Sequence, residues 1–220
     1  MPPSLFDETP TPYDAPEVIA PGAVLLRGFA CDKAEALIHA AQQVIAAAPL
    51  RQFITPGGRA MSVAMSNCGA LGWVSDRSGY RYSPFDPLSG GPWPRMPDCF
   101  ADLAMRAADA AGFAAFIPDA CLINRYEAGA RLSLHQDKDE SDLSAPIVSV
   151  SLGLPVVFLF GTLRRADRPA RYRLAHADVA VWGGPARLAY HGIAPLADGD
   201  HPLLGRQRIN LTFRSTGLVS

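Results

Sequence analysis

The second half of the chain alternates hydrophobic and polar residues with the period of two that is typical of β-strands. From residue 119 onward, turns of Gly, Pro and Asp separate short runs of this kind: DACLINRYE, RLSLHQD, APIVSVSLGL, PVVFLFG, RYRLAH, DVAVWGG, ARLAYHGI and RQRINLTFRS. Many short strands without intervening helices are typical of two packed antiparallel sheets. The pattern therefore predicts a sandwich or jelly-roll core over about residues 119–215.

The first half contains two stretches with the hydrophobic period of a helix. ALIHAAQQVIAAA follows a strand-like run, GAVLLRGF, and ends before Pro49, while Asp32 and Glu35 match the capping box that begins a helix. MPDCFADLAMRAADAAGF has one apolar face, and we expect Gly112 to end it. The two helices are expected to pack on the strands, which predicts an α+β fold.

The remaining segments lack regular periodicity. Residues 1–21 are rich in proline and are predicted to form a flexible N-terminal arm, followed by a single domain over residues 22–220. Residues 50–96 contain many Gly, Pro, Arg and aromatic residues. An irregular segment of this length inside a domain is usually functional or disordered, and its aromatic residues argue against disorder. We therefore expect a lid or recognition surface there.

Composition and charge narrow the class of protein. The chain has 220 residues, 49% of them hydrophobic, and a formal net charge of −1, which fits a folded domain and gives no overall sign of a nucleic-acid partner. The four cysteines form no C-x-x-C pair and are expected to be free thiols. The sequence shows neither a signal-peptide pattern nor an apolar run long enough to cross a bilayer. We expect a cytoplasmic monomer with no membrane partner.

The run SLHQDKDE, residues 133–140, raises the question of a metal site. His135 and Asp137 would share one face of an extended strand, and His191 follows after enough residues to lie on another strand. Two histidines and one carboxylate suit non-haem Fe(II), with zinc as the competing metal. A solvated turn would also explain these acids. His176 and Asp178 repeat the His-x-Asp motif, so the motif alone is a weak signal.

The last predicted strand adds a second feature. In RINLTFR, Arg208, Asn210 and Arg214 fall on one face, and in NRY, Asn124 and Tyr126 also share a face. An amphipathic surface strand would show the same alternation. However, guanidinium groups bind carboxylates bidentately, so this face also suits a small dicarboxylate. A metal triad beside an arginine-lined strand is the arrangement of a 2-oxoglutarate oxygenase.

Longer stretches carry a specific resemblance. TPGGRAMSVAMSNCGALGW, GYRYSPFDP, PDACLINRYEAGARLSLHQDKDE, APIVSVSLGLP, DVAVWGG, RLAYHGI and RINLTFR are similar to the AlkB family of Fe(II)/2-oxoglutarate-dependent dioxygenases, which repair alkylated bases in DNA. The likeness covers most of the chain, from about GAVLLRGF to RINLTFR. The N-terminal arm, the loop RRADRPARYR and the tail after Arg214 depart from the family pattern. The resemblance implies a double-stranded β-helix, or jelly roll, with N-terminal helices and a nucleotide-recognition lid over residues 50–96.

The resemblance also implies roles for individual residues. Fe(II) would be bound by His135, Asp137 and His191. The co-substrate 2-oxoglutarate would be bound by Asn124, Tyr126, Arg208, Asn210 and Arg214, with Arg208 as the first choice for the far carboxylate. The alkylated base and its backbone would meet Trp73, Tyr80, Asp139 and Arg165, although packing or a solvated loop would also explain these four. Phosphates would meet a local arginine cluster formed by Arg164, Arg165, Arg168, Arg171 and Arg173.

The implied reaction is oxidative dealkylation of N-alkylated bases such as 1-methyladenine and 3-methylcytosine. The reaction would require Fe(II), consume 2-oxoglutarate and dioxygen, and release formaldehyde, succinate and CO₂. The expected partner is alkylated single-stranded DNA, with double-stranded DNA and RNA as alternatives, since a stacked base must be flipped to react. Other substrates for the same chemistry, a protein or a small metabolite, stay open. So does a non-catalytic jelly-roll binding module.

Overall fold

The computed structural model describes residues 15–218, so most of the predicted N-terminal arm lies outside the described residues. The helices are α1 (Ala34–Ala47), which follows a 3₁₀ turn at Cys31–Lys33, and α2 (Asp98–Ala110). The strands are β1 (Glu17–Ala20), β2 (Ala23–Leu26), β3 (Ala64–Gly69), β4 (Gly72–Asp76), β5 (Gly79–Ser83), β6 (Ala120–Glu127), β7 (Leu132–His135), β8 (Ile147–Gly153), β9 (Val156–Phe160), β10 (Ala170–Leu174), β11 (Val179–Trp182), β12 (His191–Ile193) and β13 (Gln207–Arg214).

Two antiparallel sheets form the core of the described chain. The larger sheet has the order β1-β2-β11-β8-β13-β6-β3, and the smaller has the order β10-β9-β12-β7. Their inner faces pack together through large apolar side chains, as where Phe158 of β9 contacts Trp182 of β11 with ring centroids 5.9 Å apart. The helices cover the outer face of the larger sheet, where Phe100 of α2 meets Phe213 of β13. The predicted jelly-roll core is confirmed.

Strand β13 lies in the centre of the larger sheet, between β6 and β8. Its polar and apolar faces are both buried, because Ile209, Leu211 and Phe213 face the helices while the opposite face points between the sheets. An amphipathic surface strand is therefore the wrong interpretation of RINLTFR. Buried polar side chains require partners, and this requirement directs attention to the inner face.

Several sequence-based boundaries are wrong. Glu17–Ala20, placed in the flexible arm, pairs with β2 as a strand. Ala64–Gly69, placed in the lid, pairs with β6 and belongs to the larger sheet. The lid segment also contains the β4–β5 hairpin, which forms a separate two-stranded sheet. The capping box is not formed, since the 3₁₀ turn precedes α1 and no side chain caps either start.

Gly112 has a φ of +85° and its N–H bonds Asp109 O, so it ends α2 as expected. No helix in the described part of the chain is long and apolar enough to span a membrane.

Candidate metal centre

Two histidines face each other across a pair of strands in the smaller sheet. His135 ends β7 and His191 begins β12, and the two are direct antiparallel partners with ring centroids 4.4 Å apart. The Nδ1 atom of His135 lies 2.9 Å from Ser133 O, and that of His191 lies 3.0 Å from Ala189 O. Because a carbonyl only accepts, both Nδ1 atoms carry the proton and both Nε2 atoms present a lone pair.

Asp137 completes a group of three. Its Oδ1 lies 3.7 Å from His135 Nε2 and its Oδ2 lies 3.8 Å from His191 Nε2, and the ligand atoms all lie within 4.8 Å of one another. The strand ends at His135, so Asp137 reaches the group from an irregular segment and not from a continued strand. Two imidazole nitrogens and one carboxylate on one side fit a non-haem Fe(II) ion with open positions opposite.

The electrostatics keep the two buried side chains of the group, His191 and Asp137, in the protonation states that a metal requires. Burial and, after it, the neighbouring His135 lower the pKa of His191 to about 4, so His191 is neutral near pH 7. Burial alone would raise the pKa of Asp137, but Arg214 and the two imidazoles hold it well below its ordinary value. The side chains of His191 and Asp137 are 7% and 9% exposed, whereas that of His135 is 40% exposed. The group therefore opens to solvent on the His135 side.

A buried charge cluster is hydrogen-bonded to Asp137. The sequence analysis assigned no role to three of its members, Glu140, Arg187 and Tyr82. Arg214 Nη2 donates to Asp137 Oδ2 at 2.7 Å, and its Nε lies 3.2 Å from Glu140 Oε1. Arg187 Nη2 donates to Glu140 Oε2 at 3.0 Å, and its Nη1 donates to the Asp137 carbonyl at 2.6 Å. Tyr82 donates its hydroxyl proton to Glu140 Oε1 at 2.6 Å. Burial raises the pKa of Tyr82, so its hydroxyl stays a neutral donor.

Strand β13 presents Arg208 between the sheets with much of its hydrogen-bonding capacity unused. Arg208 is 1% exposed, and its guanidinium carbon lies 4.9 Å from the ring centroid of Tyr126, its direct partner on β6. Its Nη2 donates to Ser151 Oγ at 3.0 Å, whereas its Nε and Nη1 have no hydrogen-bond partner among residues 15–218. Burial lowers the pKa of Arg208 and raises that of Tyr126 to about 12. A buried cation with free donors fits an anionic ligand.

The two asparagines lie next along the same face. Asn210 Nδ2 donates to Ser149 Oγ at 2.8 Å and to Val150 O at 2.9 Å, so that amide group is fully engaged. Asn124 is the direct partner of Asn210 on β6, and its Oδ1 atom has no partner within the described residues. The structure therefore brings together Asn124, Tyr126, Arg208 and Asn210 on one surface, as the sequence predicted, and Arg214 lies at the end that meets Asp137.

The predicted base-binding residues form an aromatic surface on the β4–β5 hairpin. Trp73 Nε1 donates to Asp139 Oδ2 at 2.8 Å. Tyr80 stacks on Trp73 with ring centroids 5.5 Å apart, and Phe53 meets the edge of Trp73. Tyr80 is 47% exposed, so this surface is available to a ligand. Asp139 follows Asp137 by two residues, which places the hairpin beside the metal group.

Arg165 is exposed and lies over the ring of Tyr190, with its guanidinium carbon 5.9 Å from the centroid. Arg165 lies in the loop after β9, and Tyr190 directly precedes His191 in the sequence. The second His-x-Asp motif, at His176 and Asp178, has a structural role. Asp178 accepts hydrogen bonds from Arg27 and from Gly28 N, at 2.9 and 2.8 Å. It stabilises the β2 turn and takes no part in the metal group.

The comparisons with known proteins agree with this site. A family model of the 2OG-Fe(II) oxygenase superfamily matches residues 22–214, which defines the chain as an Fe(II)/2-oxoglutarate-dependent dioxygenase that uses dioxygen. The chain is 60% identical to the alpha-ketoglutarate-dependent dioxygenase AlkB of Escherichia coli (strain K12), over 91% of this chain and 93% of that protein. Alpha-ketoglutarate is 2-oxoglutarate. The chain therefore belongs to the AlkB family.

More distant relatives extend the comparison. The chain is 31% identical to the DNA N(6)-methyladenine demethylase ALKBH1C of Arabidopsis thaliana, over 90% of this chain and 49% of that protein. The solved structure of OsALKBH1 superposes with a TM-score of 0.79 at 28% identity, covering 91% of this chain and 99% of that one. The sheet architecture described above is thus shared with a solved structure.

Proposed function

We propose that this enzyme removes alkyl groups from base nitrogens of nucleic acid, with DNA as the main substrate and 1-methyladenine and 3-methylcytosine as typical lesions. The observation that carries the proposal is the aromatic hairpin beside the metal group. Trp73 and Tyr80 are stacked, and Trp73 bonds Asp139, two residues from Asp137. An exposed aromatic surface next to a carboxylate is suited to a flat, positively charged base.

The triad would hold the metal. His135, Asp137 and His191 would bind Fe(II). Together with 2-oxoglutarate and dioxygen, the metal would oxidise the N-alkyl carbon, and 2-oxoglutarate would be decarboxylated to succinate and CO₂. For a methyl group, one oxygen atom of dioxygen would enter a C–H bond and the other would enter succinate. The C–N bond would then break with its electron pair passing to the base nitrogen, while formaldehyde and the hydroxyl proton leave. The ring of 1-methyladenine or 3-methylcytosine would thereby lose its positive charge.

The buried cation of β13 would bind the far carboxylate of 2-oxoglutarate. Arg208 supports this role because its Nε and Nη1 are buried without a partner in the described residues, whereas Arg214 is already paired with Asp137 and Glu140. Asn124, Tyr126 and Asn210 would line the same pocket, and Arg214 would complete it at the metal end. The Tyr126 ring limits the positions that the Arg208 guanidinium can adopt.

The lid and the local arginine cluster would bind the substrate. A base flipped out of its stack would lie against Trp73 and Tyr80, with the exposed His135 ring at its other side. Asp139 would balance the positive charge of a methylated ring or accept from an exocyclic amine. Arg165 and its neighbouring arginines would contact phosphates, which the overall charge of −1 conceals.

The test is formaldehyde release from a short single-stranded DNA that carries 1-methyladenine or 3-methylcytosine. Fe(II), ascorbate and 2-oxoglutarate are supplied together, and Fe(II) or 2-oxoglutarate is withheld in matched reactions. We expect release that requires both. The unmethylated oligonucleotide is the control, and an RNA of the same sequence measures preference between the nucleic acids.

Two other results would contradict the proposal. Decarboxylation of 2-oxoglutarate without formaldehyde from any methylated nucleic acid would leave an oxygenase with another substrate. Neither iron binding nor consumption of 2-oxoglutarate would favour a non-catalytic binding module.

A further inference from the structure

The β4–β5 hairpin is held to the metal-site segment by two side-chain hydrogen bonds. Trp73 of β4 and Tyr82 of β5 are direct cross-strand partners, so their side chains lie on the same face of the hairpin. Trp73 donates to Asp139 at 2.8 Å and Tyr82 donates to Glu140 at 2.6 Å. One pair of hairpin residues is thus bonded to two consecutive acids that follow Asp137.

The two acids differ in their surroundings. Asp139 is partly exposed, whereas the side chain of Glu140 is 2% exposed and lies among ionised partners. Arg187, with 3% of its side chain exposed, bonds the Oε2 atom of Glu140. Arg214, with 8% exposed, approaches the Oε1 atom, which also accepts from Tyr82. A change in one of these bonds must alter the others, because buried charges cannot turn to water instead.

Arg214 extends this network to the metal group. Its guanidinium is shared between Glu140 Oε1 and Asp137 Oδ2. A continuous set of bonds therefore runs from the Tyr82 hydroxyl through Glu140 and Arg214 to Asp137. An anion that also bonded Arg214 would compete with these two carboxylates for its donors. Glu140 Oε1 would then depend more strongly on its bond from Tyr82.

We propose that Tyr82 is a positioning residue that couples docking of the β4–β5 hairpin to the placement of Arg214 at the metal centre. The inference rests on the proposed function, in which Arg214 lines the 2-oxoglutarate pocket. Binding of 2-oxoglutarate strengthens the hydrogen bond from Tyr82 to Glu140 and holds the hairpin more tightly. By linkage, a docked hairpin strengthens the binding of 2-oxoglutarate.

The experiment is hydrogen exchange of the amides in residues 72–83. The full-length protein is loaded with Mn(II), which allows binding without turnover, and is compared with and without 2-oxoglutarate. In the unmodified protein we expect exchange of the hairpin to slow by about fivefold or more on addition of 2-oxoglutarate. In Tyr82→Phe we expect this slowing to be lost. The matched control is Tyr172→Phe on β10, which removes a hydroxyl that donates to Ile19 O of β1 at 3.3 Å.

Calorimetric titration of 2-oxoglutarate distinguishes failure of the coupling from failure of the proposed function. Binding with no change in hairpin exchange, or full slowing in Tyr82→Phe, would overturn the coupling and leave the proposed function intact. No binding by the unmodified protein would contradict both. If Tyr82→Phe is too unstable to measure, Glu140→Gln keeps an oxygen for Tyr82 but removes the charge that attracts Arg214. Slowing of the hairpin equal to that of the unmodified protein in this variant also contradicts the inference.

Discussion

The guanidinium of Arg208 lies over the Tyr126 ring, and its Nε and Nη1 atoms are buried without a hydrogen-bond partner among residues 15–218. A protein does not gain stability from an unpaired buried cation, so this arrangement indicates a binding role. We expect Arg208→Met to raise the apparent KM for 2-oxoglutarate by about 10- to 100-fold, the loss of charge-assisted hydrogen bonds. Steady-state formaldehyde release at varied 2-oxoglutarate measures it.

The same variant has a second expected effect, on stability. Because methionine fills a similar volume without a charge, the ligand-free variant should be as stable as the unmodified protein or more so. Urea unfolding measures this. A strongly destabilised variant would contradict this expectation. An unchanged KM would assign the far carboxylate to Arg214 or to another residue.

Replacement of the carboxylate in the metal group should abolish activity with a limited cost in stability. In Asp137→Ala we expect formaldehyde release to fall to background, because one of three ligands is lost. Arg214 keeps Glu140 as a partner, so the free energy of unfolding should fall by only about 1–3 kcal/mol. Asp198→Ala is the control, since Asp198 is an exposed acid paired with Arg206 at the surface. Retained activity in Asp137→Ala would show that the ligand assignment is wrong.

The architecture and the polar face of β13 followed from the sequence, because both depend on short-range alternation. Arg208, Asn210 and Arg214 fall on one side in any extended strand, and the pairing of Asn210 with Asn124 confirms that they share a surface. Strand β3 was missed because AMSNCG lacks a hydrophobic alternation. Its pairing with β6 is a tertiary effect.

The charge cluster was missed for a different reason. Glu140 and Tyr82 are separated by 58 positions, and each residue alone is typical of a solvated surface. Nothing in the run KDE distinguishes Glu140, which is buried, from Lys138, which is exposed. Only the folded chain shows that Arg187 and Arg214 compensate the buried carboxylate. Long-range ion pairs of this kind carry no local pattern.

The pair of His176 and His201 predicts acid sensitivity. Their rings lie 4.5 Å apart, and His176 Nδ1 accepts the Gly153 N–H at 3.0 Å, so this nitrogen cannot be protonated without loss of the bond. Burial and the neighbouring His201 lower the pKa of His176 to about 4, although Asp178 opposes this. In the unfolded chain, His176 is protonated as the pH falls through about 6.5, whereas in the folded protein it stays neutral down to about 4. The contribution of neutral His176 to folding stability is therefore present above pH 6.5 and is lost as the pH falls towards 4.

The variant His176→Asn isolates this contribution, because an asparagine oxygen can accept the Gly153 N–H without titrating. Between pH 6.5 and pH 4 the unmodified protein should lose about 1–2 kcal/mol more than the variant, after allowance for solvent screening of a partly exposed ring. Chemical unfolding at stepped pH measures the difference. Equal pH profiles for the two proteins would contradict the prediction, and His39→Gln on the exposed face of α1 is the matched control.

The hydrogen bond from Trp73 to Asp139 should contribute more to binding of the base than to binding of 2-oxoglutarate. Trp73→Phe keeps an aromatic ring but removes the indole N–H, which leaves the hairpin less firmly placed. We expect the apparent KM for a methylated oligonucleotide to rise by about 3- to 10-fold, the value of one hydrogen bond. The KM for 2-oxoglutarate should rise by a smaller factor, because Tyr82 still bonds Glu140 and holds the hairpin. A parallel rise in both constants would indicate general damage to the site.

The local arginine cluster makes a quantitative prediction about salt. Each phosphate contact to single-stranded nucleic acid contributes about −0.7 to the slope of log K against log salt concentration. Arg165 and Arg171 are both exposed, so Arg165→Ala and Arg171→Ala should each reduce the steepness by about that amount. Fluorescence anisotropy of a labelled oligonucleotide at several salt concentrations measures it. Arg206→Ala, which removes the partner of Asp198, should leave the slope unchanged. Identical slopes in all proteins would place the phosphates elsewhere, because a cation that contacts no phosphate releases no counterion.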